Sequence, residues 1–327
     1  MHTILTEEKS FDRYRRGWVS NWSSLYGNFT DTTTLSPMHF THCTPGHSQP
    51  AAFVASTLQM YSIKVTERKE ALGLKWPLRV YGVVAARDTV DRNRNILFSR
   101  PRDDCQELHK EDPFLRLTGP SRAIVTEEPV HVEIELKVKG TTKSEDRVLM
   151  SRVWRYSDRL CTLHTPLAGK FCTLVLSSEE LKESVQATIV GVQITKRKPG
   201  LFKHGGRVVC SSPPRKGILP DSKHITASSF RQVVLEDGAI DVCSNGYLAL
   251  SRNVVSVELC GRLEILIYEY SQSRVTAVHG GVSIKAQNCN VTQHKCRLGD
   301  SELEISVAWS RLVQDKGFIS MEGSDEL

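Results

Sequence analysis

Along much of the chain apolar and polar residues alternate one by one. In VHVEIELKVK, residues 130–139, Val130, Val132, Ile134, Leu136 and Val138 fall on one face and His131, Glu133, Glu135, Lys137 and Lys139 on the other. A period of two predicts a half-buried β-strand, because successive strand side chains point to opposite faces. The alternation returns at Cys172, Leu174 and Leu176, at Val255, Val257 and Leu259, and at Leu303, Ile305, Val307 and Trp309. Between these runs stand TEEP, KGTTKSED, KRKPG, LEDG, SNG and HGG, whose Gly, Pro, Asn and Asp are the residues turns demand. Many short strands at fairly regular spacing predict a mainly β protein of the antiparallel sandwich type, built as one large domain or as two stacked β subdomains. The one inner segment that reads as helical, SSEELKES at 177–184, is too short for the crossover helix of a parallel α/β sheet.

Residues 1–57 depart from this pattern. They are rich in Ser, Thr, His and Pro, which predicts a variable, partly disordered and flexible N-terminal extension. Thr6, Glu7 and Glu8 supply helix-start chemistry, and Phe11, Tyr14, Trp18 and Trp22 recur every three or four residues, so a short helix with an aromatic stripe is expected there. Interleaved with Arg13, Arg15 and Arg16, the stripe could seat a partner helix, a membrane surface or a base stack. The ordinary fate of such a stripe is burial against its own domain. The β-rich region is expected over 58–313, with a subdivision near 160–170 around LHTPLAGK, and 314–327 is expected to be a disordered tail.

The stretch YGVVAARDTVDRNRNILFSRPRDD, residues 81–104, crowds five arginines and four aspartates between apolar runs. Arg87, Asp88, Asp91, Arg92 and Arg94 fall in the connection between two strands. There they are expected to form a solvated structural turn, pairing with one another or capping backbone groups. The competing reading makes residues 87–104 an enzyme site, with Asp88 and Asp91, or Asp103 and Asp104, as an acid/base pair. The structural turn is preferred, because nothing in the sequence marks a pocket.

At 327 residues the chain is long enough for a sizeable core, and a net charge of +6 makes its surface only mildly basic. No apolar run approaches the length of a membrane span and no secretory signal is read at the start, so a soluble cytoplasmic protein, or a nuclear one, is expected. In such a compartment the nine cysteines read as reduced thiols. Cys289, His294 and Cys296 sit close together; a disulfide across that turn is conceivable, and free thiols are preferred. His39, His42, Cys43 and His47 have ligand types that could hold zinc, but a second ligand pair is missing and a polar linker is the preferred reading. KRKPGLFKHGGR offers Lys196, Arg197, Lys198 and Lys203, with Arg215 and Lys216 beyond, as a phosphate-contacting or acidic-partner surface, against the plain reading of a solvated loop. No nucleophile elbow, His-Glu-x-x-His, CxxC pair or dinucleotide fingerprint occurs, so no catalytic residue and no cofactor is assigned.

With these segments in view the chain resembles the grass-expanded plant family known as domain of unknown function 6598. The resemblance rests on WPLRVYGVVAARDTVDRNRNILFSRPRDDCQEL (76–108), DPFLRLTGPSRAIV (112–125), SVQATIVGV (184–192), FRQVVLEDGAIDVCSNGYLALSRNVVSVELCGRLEILIYEY (230–270) and ELEISVAWSRL, over roughly 58–313. It implies a β-rich fold and a plant stress or defence setting. In some grass proteins a similar region follows a ribosome-inactivating N-glycosidase domain, but no stretch here resembles the Glu-x-x-Arg active-site helix of that enzyme, so depurination is not carried over. The expected function is a non-catalytic protein-interaction module with a protein partner. The alternatives are an accessory relative that binds ribosomes or RNA through the basic loop, and an enzyme built on the charged turn.

Overall fold

The computed structural model describes residues 2–35, 52–67, 75–156, 163–213 and 231–318. Among these residues the chain forms one α-helix, α1 (His2–Tyr26), and sixteen strands. The fold is mainly β, with several antiparallel sheets, as the alternation predicts. No helix among the described residues is long and apolar enough to cross a membrane. Two compact units are present, one of Met1–Thr34 with Ser62–Glu180 and the other of Leu35–Tyr61 with Leu181–Leu327. Strands β1 (Ala55–Glu67) and β9 (Cys172–Lys196) give residues to both.

The first unit contains α1, β2 (Leu78–Arg87), β3 (Asn95–Arg100), β4 (Gln106–Leu108), β5 (Ile124–Val125), β6 (Val130–Val138), β7 (Arg147–Tyr156) and β8 (His164–Ala168). Its main sheet runs β3-β2-β6-β7, with β4 also paired to β2. Val84 lies opposite Ile134 and Ala86 opposite Val132, and all four are buried. That is the apolar face read from VHVEIELKVK. Its polar face is not left to solvent: Glu133 is 1% exposed and His131 is half-buried, because α1 packs over this end of the sheet. Gly82 is required by the strand pairing, since its φ is +126° and a Cβ there would fall 2.0 Å from the Glu135 carbonyl oxygen on β6.

The second unit holds β10 (Gly206–Ser211), β11 (Val233–Gly238), β12 (Val254–Glu258), β13 (Arg262–Tyr270), β14 (Thr276–Lys285), β15 (Asn290–Leu298) and β16 (Ser301–Ser310). One of its sheets runs β11-β10-β13-β14; in the other, β16 lies between β15 and β9, and β12 also pairs with β9. Leu263, Ile265 and Ile267 alternate inward on β13, and Leu303, Ile305, Val307 and Trp309 do so on β16, giving this unit its core.

One expectation is corrected here. SSEELKES is not helical but lies inside β9, and Glu183 there takes a φ of +43°. Pairing with β8 over Thr173–Ser177 and with β12 over Ser184–Thr188 hydrogen-bonds both ends of the segment into sheets, and this overrides a local preference of a few tenths of a kcal/mol per residue.

Gly82→Ala should destabilise the first unit by about 1–3 kcal/mol through backbone strain and the clash with β6. Chemical unfolding of the two proteins side by side measures this, and an unchanged midpoint would contradict the assigned role of Gly82.

Candidate functional site: the charged cluster beneath the N-terminal helix

The densest chemistry among the described residues surrounds the connection from β2 to β3. Arg87 ends β2 with 2% of its surface exposed. Its Nε and Nη2 donate to the two oxygens of Glu133, and Nη2 and Nη1 also donate to the backbone oxygens of Phe29 and Arg92. The rings of Trp18 and Phe29 lie each 4.6 Å from its guanidinium carbon, adding cation–π attraction to the ion pair. Arg94 donates to the same Glu133 at 2.8 Å and to Glu135 at 2.7 Å, and Arg15 of α1 reaches Glu135 at 2.9 Å. Two carboxylates thus join three guanidiniums.

Asp88 builds the second half of the cluster. Arg122, fully buried, grips it in bidentate fashion at 2.6 and 2.7 Å, and Asp88 also accepts from the backbone N–H groups of Val90 and Val125 at 3.1 and 2.9 Å. Asp91 accepts from the Asn93 N–H at 3.0 Å and the Thr33 hydroxyl at 2.7 Å. Asn95 receives the Ser121 N–H and donates to the Arg122 carbonyl, both at 2.9 Å. The segment after α1 clips alongside, with the Thr33 N–H on the Arg94 carbonyl at 2.9 Å and the Arg94 N–H on the Asp31 carbonyl at 3.0 Å. The expected solvated run is therefore corrected: apart from Arg92, these charges are buried. Their counter-ions, Arg122, Glu133 and Glu135, stand 34 or more residues away, so the sequence near the turn could not show the pairing.

The aromatic stripe faces this cluster. Phe11 and Trp18 are buried with Phe29, and Tyr14, Trp22, Tyr26 and Val153 pack around them. The Trp18 indole N–H donates to the Arg92 carbonyl at 3.0 Å, and Arg92 lies 4.7 Å from the ring of Trp22. Burial, and then the facing Glu133 to which it is hydrogen-bonded, push the Tyr14 hydroxyl well above its ordinary pKa. Tyr14 also sets its ring 5.5 Å from that of His131, whose pKa is lowered by burial and by the charges of Arg155 and Arg92.

The other candidate residues fall elsewhere. Lys196, Arg197, Lys198 and Lys203 are exposed on a turn of the second unit. The turn is pinned by buried Leu201 and Phe202, by the Lys198 N–H on the Ser301 hydroxyl at 3.1 Å, and by the Phe202 N–H on Glu269 at 3.3 Å. His39, His42, Cys43, His47, Arg215 and Lys216 lie outside the described residues, and among the described residues no group of His, Cys, Asp or Glu is placed to hold a metal. Cys289 is disulfide-bonded, which corrects the reading of all nine cysteines as reduced thiols. Its partner is not Cys296, which is free and buried, so the conceivable bridge across that turn is not formed. A disulfide needs two Cβ atoms about 4 Å apart, a proximity that linear spacing does not encode. Sequence reasoning also missed Arg122, Glu133 and Glu135 as members of the cluster, though a Glu on the polar face of a strand is a signal for a partner once that face is known to be covered.

The family described as "Domain of unknown function (DUF6598)" matches residues 57–307, and the chain belongs to it. No curated protein matches the chain. Helix α1 lies before the matched stretch, and the residues of Arg87, Arg94, His131, Glu133 and Glu135 that it covers lie within it.

Removing the shared carboxylate leaves buried Arg87 without a counter-ion and Arg94 with Glu135 alone, so Glu133→Gln should cost about 3–5 kcal/mol of stability. Arg92→Ala, which breaks a pair with the exposed Glu128, should cost no more than about 1 kcal/mol for the ion pair plus a similar amount for the ring contact. Equilibrium unfolding of both variants checks the ordering.

Proposed function

We propose that this member of the family is a non-catalytic, β-rich protein-interaction module acting in a plant stress or defence setting. The observation that carries the reading is the fate of the charged turn. Asp88, Asp91 and Glu133 are buried, and each is engaged by groups of the protein itself. A general acid or base must reach a substrate proton, and a carboxylate already held by a bidentate arginine and backbone donors has its acceptor sites filled. The cluster organises the fold, and contacts with other molecules fall to exposed loops.

Among those loops the turn bearing Lys196, Arg197, Lys198 and Lys203 is rigidly seated yet presents its cations outward, which suits an acidic partner surface. The same exposed cations support a second reading, binding of ribosomes or RNA through this loop.

Two experiments separate these readings. Full-length protein and a Lys196→Glu/Arg197→Glu/Lys198→Glu variant are compared in cross-linking pull-downs from plant tissue and in ribosome co-sedimentation across a salt series. A protein partner lost on charge reversal, without ribosome binding, is expected; salt-sensitive sedimentation lost on reversal would favour the RNA reading, and partners unchanged by reversal would remove the loop from the account. For the charged turn, Asp88→Asn should lower stability by about 3–5 kcal/mol by stranding Arg122. An enzyme site would instead lose an activity at unchanged stability.

A further inference from the structure

We propose that helix α1 is an acid-released cover on the first unit, latched while His131 is neutral and loosened when its imidazole takes up a proton. The latch is written in the strand register. His131 of β6 stands directly opposite Arg87 of β2 on one side and Arg155 of β7 on the other. Residues directly opposite in antiparallel strands share a face with Cβ atoms about 4.5–5.5 Å apart. The imidazole is therefore the middle member of a row whose outer members are both cations.

Each neighbouring element contributes to its surroundings. From α1 comes the Tyr14 ring at 5.5 Å, with its hydroxyl turned to Glu133. From the β2–β3 connection comes Arg92, held to Glu128 at 3.3 Å. On β6 itself, Glu133 is the one carboxylate acting on the imidazole, and it already accepts from Arg87 and Arg94. A proton on His131 would thus place a fourth positive charge among Arg87, Arg92 and Arg155 without supplying a free anion.

Burial and these cations lower the pKa of His131 below its ordinary value. The direction of the effect follows. Arg87 and Arg155 flank the ring on the sheet whether or not α1 is docked, so what docking adds is burial under the helix, the largest of these causes, and the released state binds the proton more readily. The cover is at full strength above about pH 6.5 and weakens as pH falls from there to the lowered pKa, beyond which nothing more is lost. Glu7, on the same helix and close to Arg152, acts in the opposite sense. Burial raises its pKa, so its protonation favours the docked helix. Loosening through His131 therefore runs against the effect of Glu7. Release would bare the stripe of Phe11, Tyr14, Trp18 and Trp22, and with it the ring of Phe29.

Hydrogen exchange read by mass spectrometry on the full chain at pH 7.5 and pH 5, corrected for intrinsic rates, tests this. Wild-type protein should lose protection across residues 7–26 at the lower pH, by up to about tenfold for each unit by which docking of α1 lowers the pKa of His131, while β13 and β16 keep theirs. His131→Asn, which cannot take up the proton, should hold its α1 protection constant over the same range. Arg155 is exposed at the end of β7 and flanks the ring in docked and released states alike, so Arg155→Gln should keep the loss and move it to higher pH. Unchanged α1 protection in the wild type, or the same loss in His131→Asn as in the wild type, would overturn the proposal.

Discussion

The ion pair between Arg87 and Glu133 is the contact on which the first unit turns. An arginine that is 2% exposed cannot shed its charge, and in a low-dielectric interior it needs a carboxylate, further acceptors for its remaining N–H groups and a surface to shield it. The chain meets these demands from four separate places. Glu133 comes from β6, the Arg92 carbonyl from the connection that follows, the Phe29 carbonyl from the segment after α1, and the two ring faces from Trp18 and Phe29. Those places are thereby fixed with respect to one another. A buried pair of this kind contributes little net stability, because desolvation offsets most of the attraction, whereas a misplaced partner costs several kcal/mol. What it supplies is uniqueness: helix, clip and turn have one arrangement in which no buried charge is stranded.

This explains which features could be read from the sequence. The alternation in VHVEIELKVK names the apolar face correctly, since Val130, Val132, Ile134 and Leu136 are all buried. Periodicity reports burial of one face and is silent about what lies over the other. Whether Glu133 meets water or Arg87 depends on a helix more than 100 residues earlier in the chain. The stripe of Phe11, Tyr14, Trp18 and Trp22 is legible as a helix face, and its packing target becomes visible only with the sheet in place. Arginines and aspartates in a run suggest pairing within the run, yet Asp88 chooses Arg122 and Arg94 chooses Glu133 and Glu135. Local electrostatics lost to tertiary geometry there, as local helix preference lost to strand pairing in SSEELKES.

The second unit solves the same problem of buried polarity with neutral partners. Arg252 is 2% exposed, and its Nη2 donates to the Met60 carbonyl at 2.9 Å, an oxygen that also receives the Gln59 amide at 3.1 Å. Gln59 in turn accepts from the Ser256 N–H at 2.8 Å, and the hydroxyls of Thr57 and Ser184 meet at 2.7 Å. Side chains here satisfy the backbone groups of Met60 on β1 and Ser256 on β12. Burial lowers the pKa of Arg252 to about 10, far above any physiological pH, so this cation keeps its charge throughout.

The contrast bears on which region can respond to its surroundings. In the second unit the buried contacts around Arg252, Gln59, Thr57 and Ser184 involve a guanidinium, an amide, hydroxyls and backbone groups, none of which changes protonation near neutral pH. In the first, a histidine stands in a row of arginines beneath a helix that is held by four kinds of tie: apolar burial, ring–cation contact, the hydrogen bonds of Trp18 and Tyr14, and the partly exposed ion pair of Arg15 with Glu135. The ion pair is weak in water and screened by salt, and the ring contacts depend on the cations staying where they are. A cluster that balances its charges so closely has no spare anion for one more proton. Changing the charge of a single ring below about pH 6.5 therefore acts on the helix directly, without any rearrangement of the sheet beneath it.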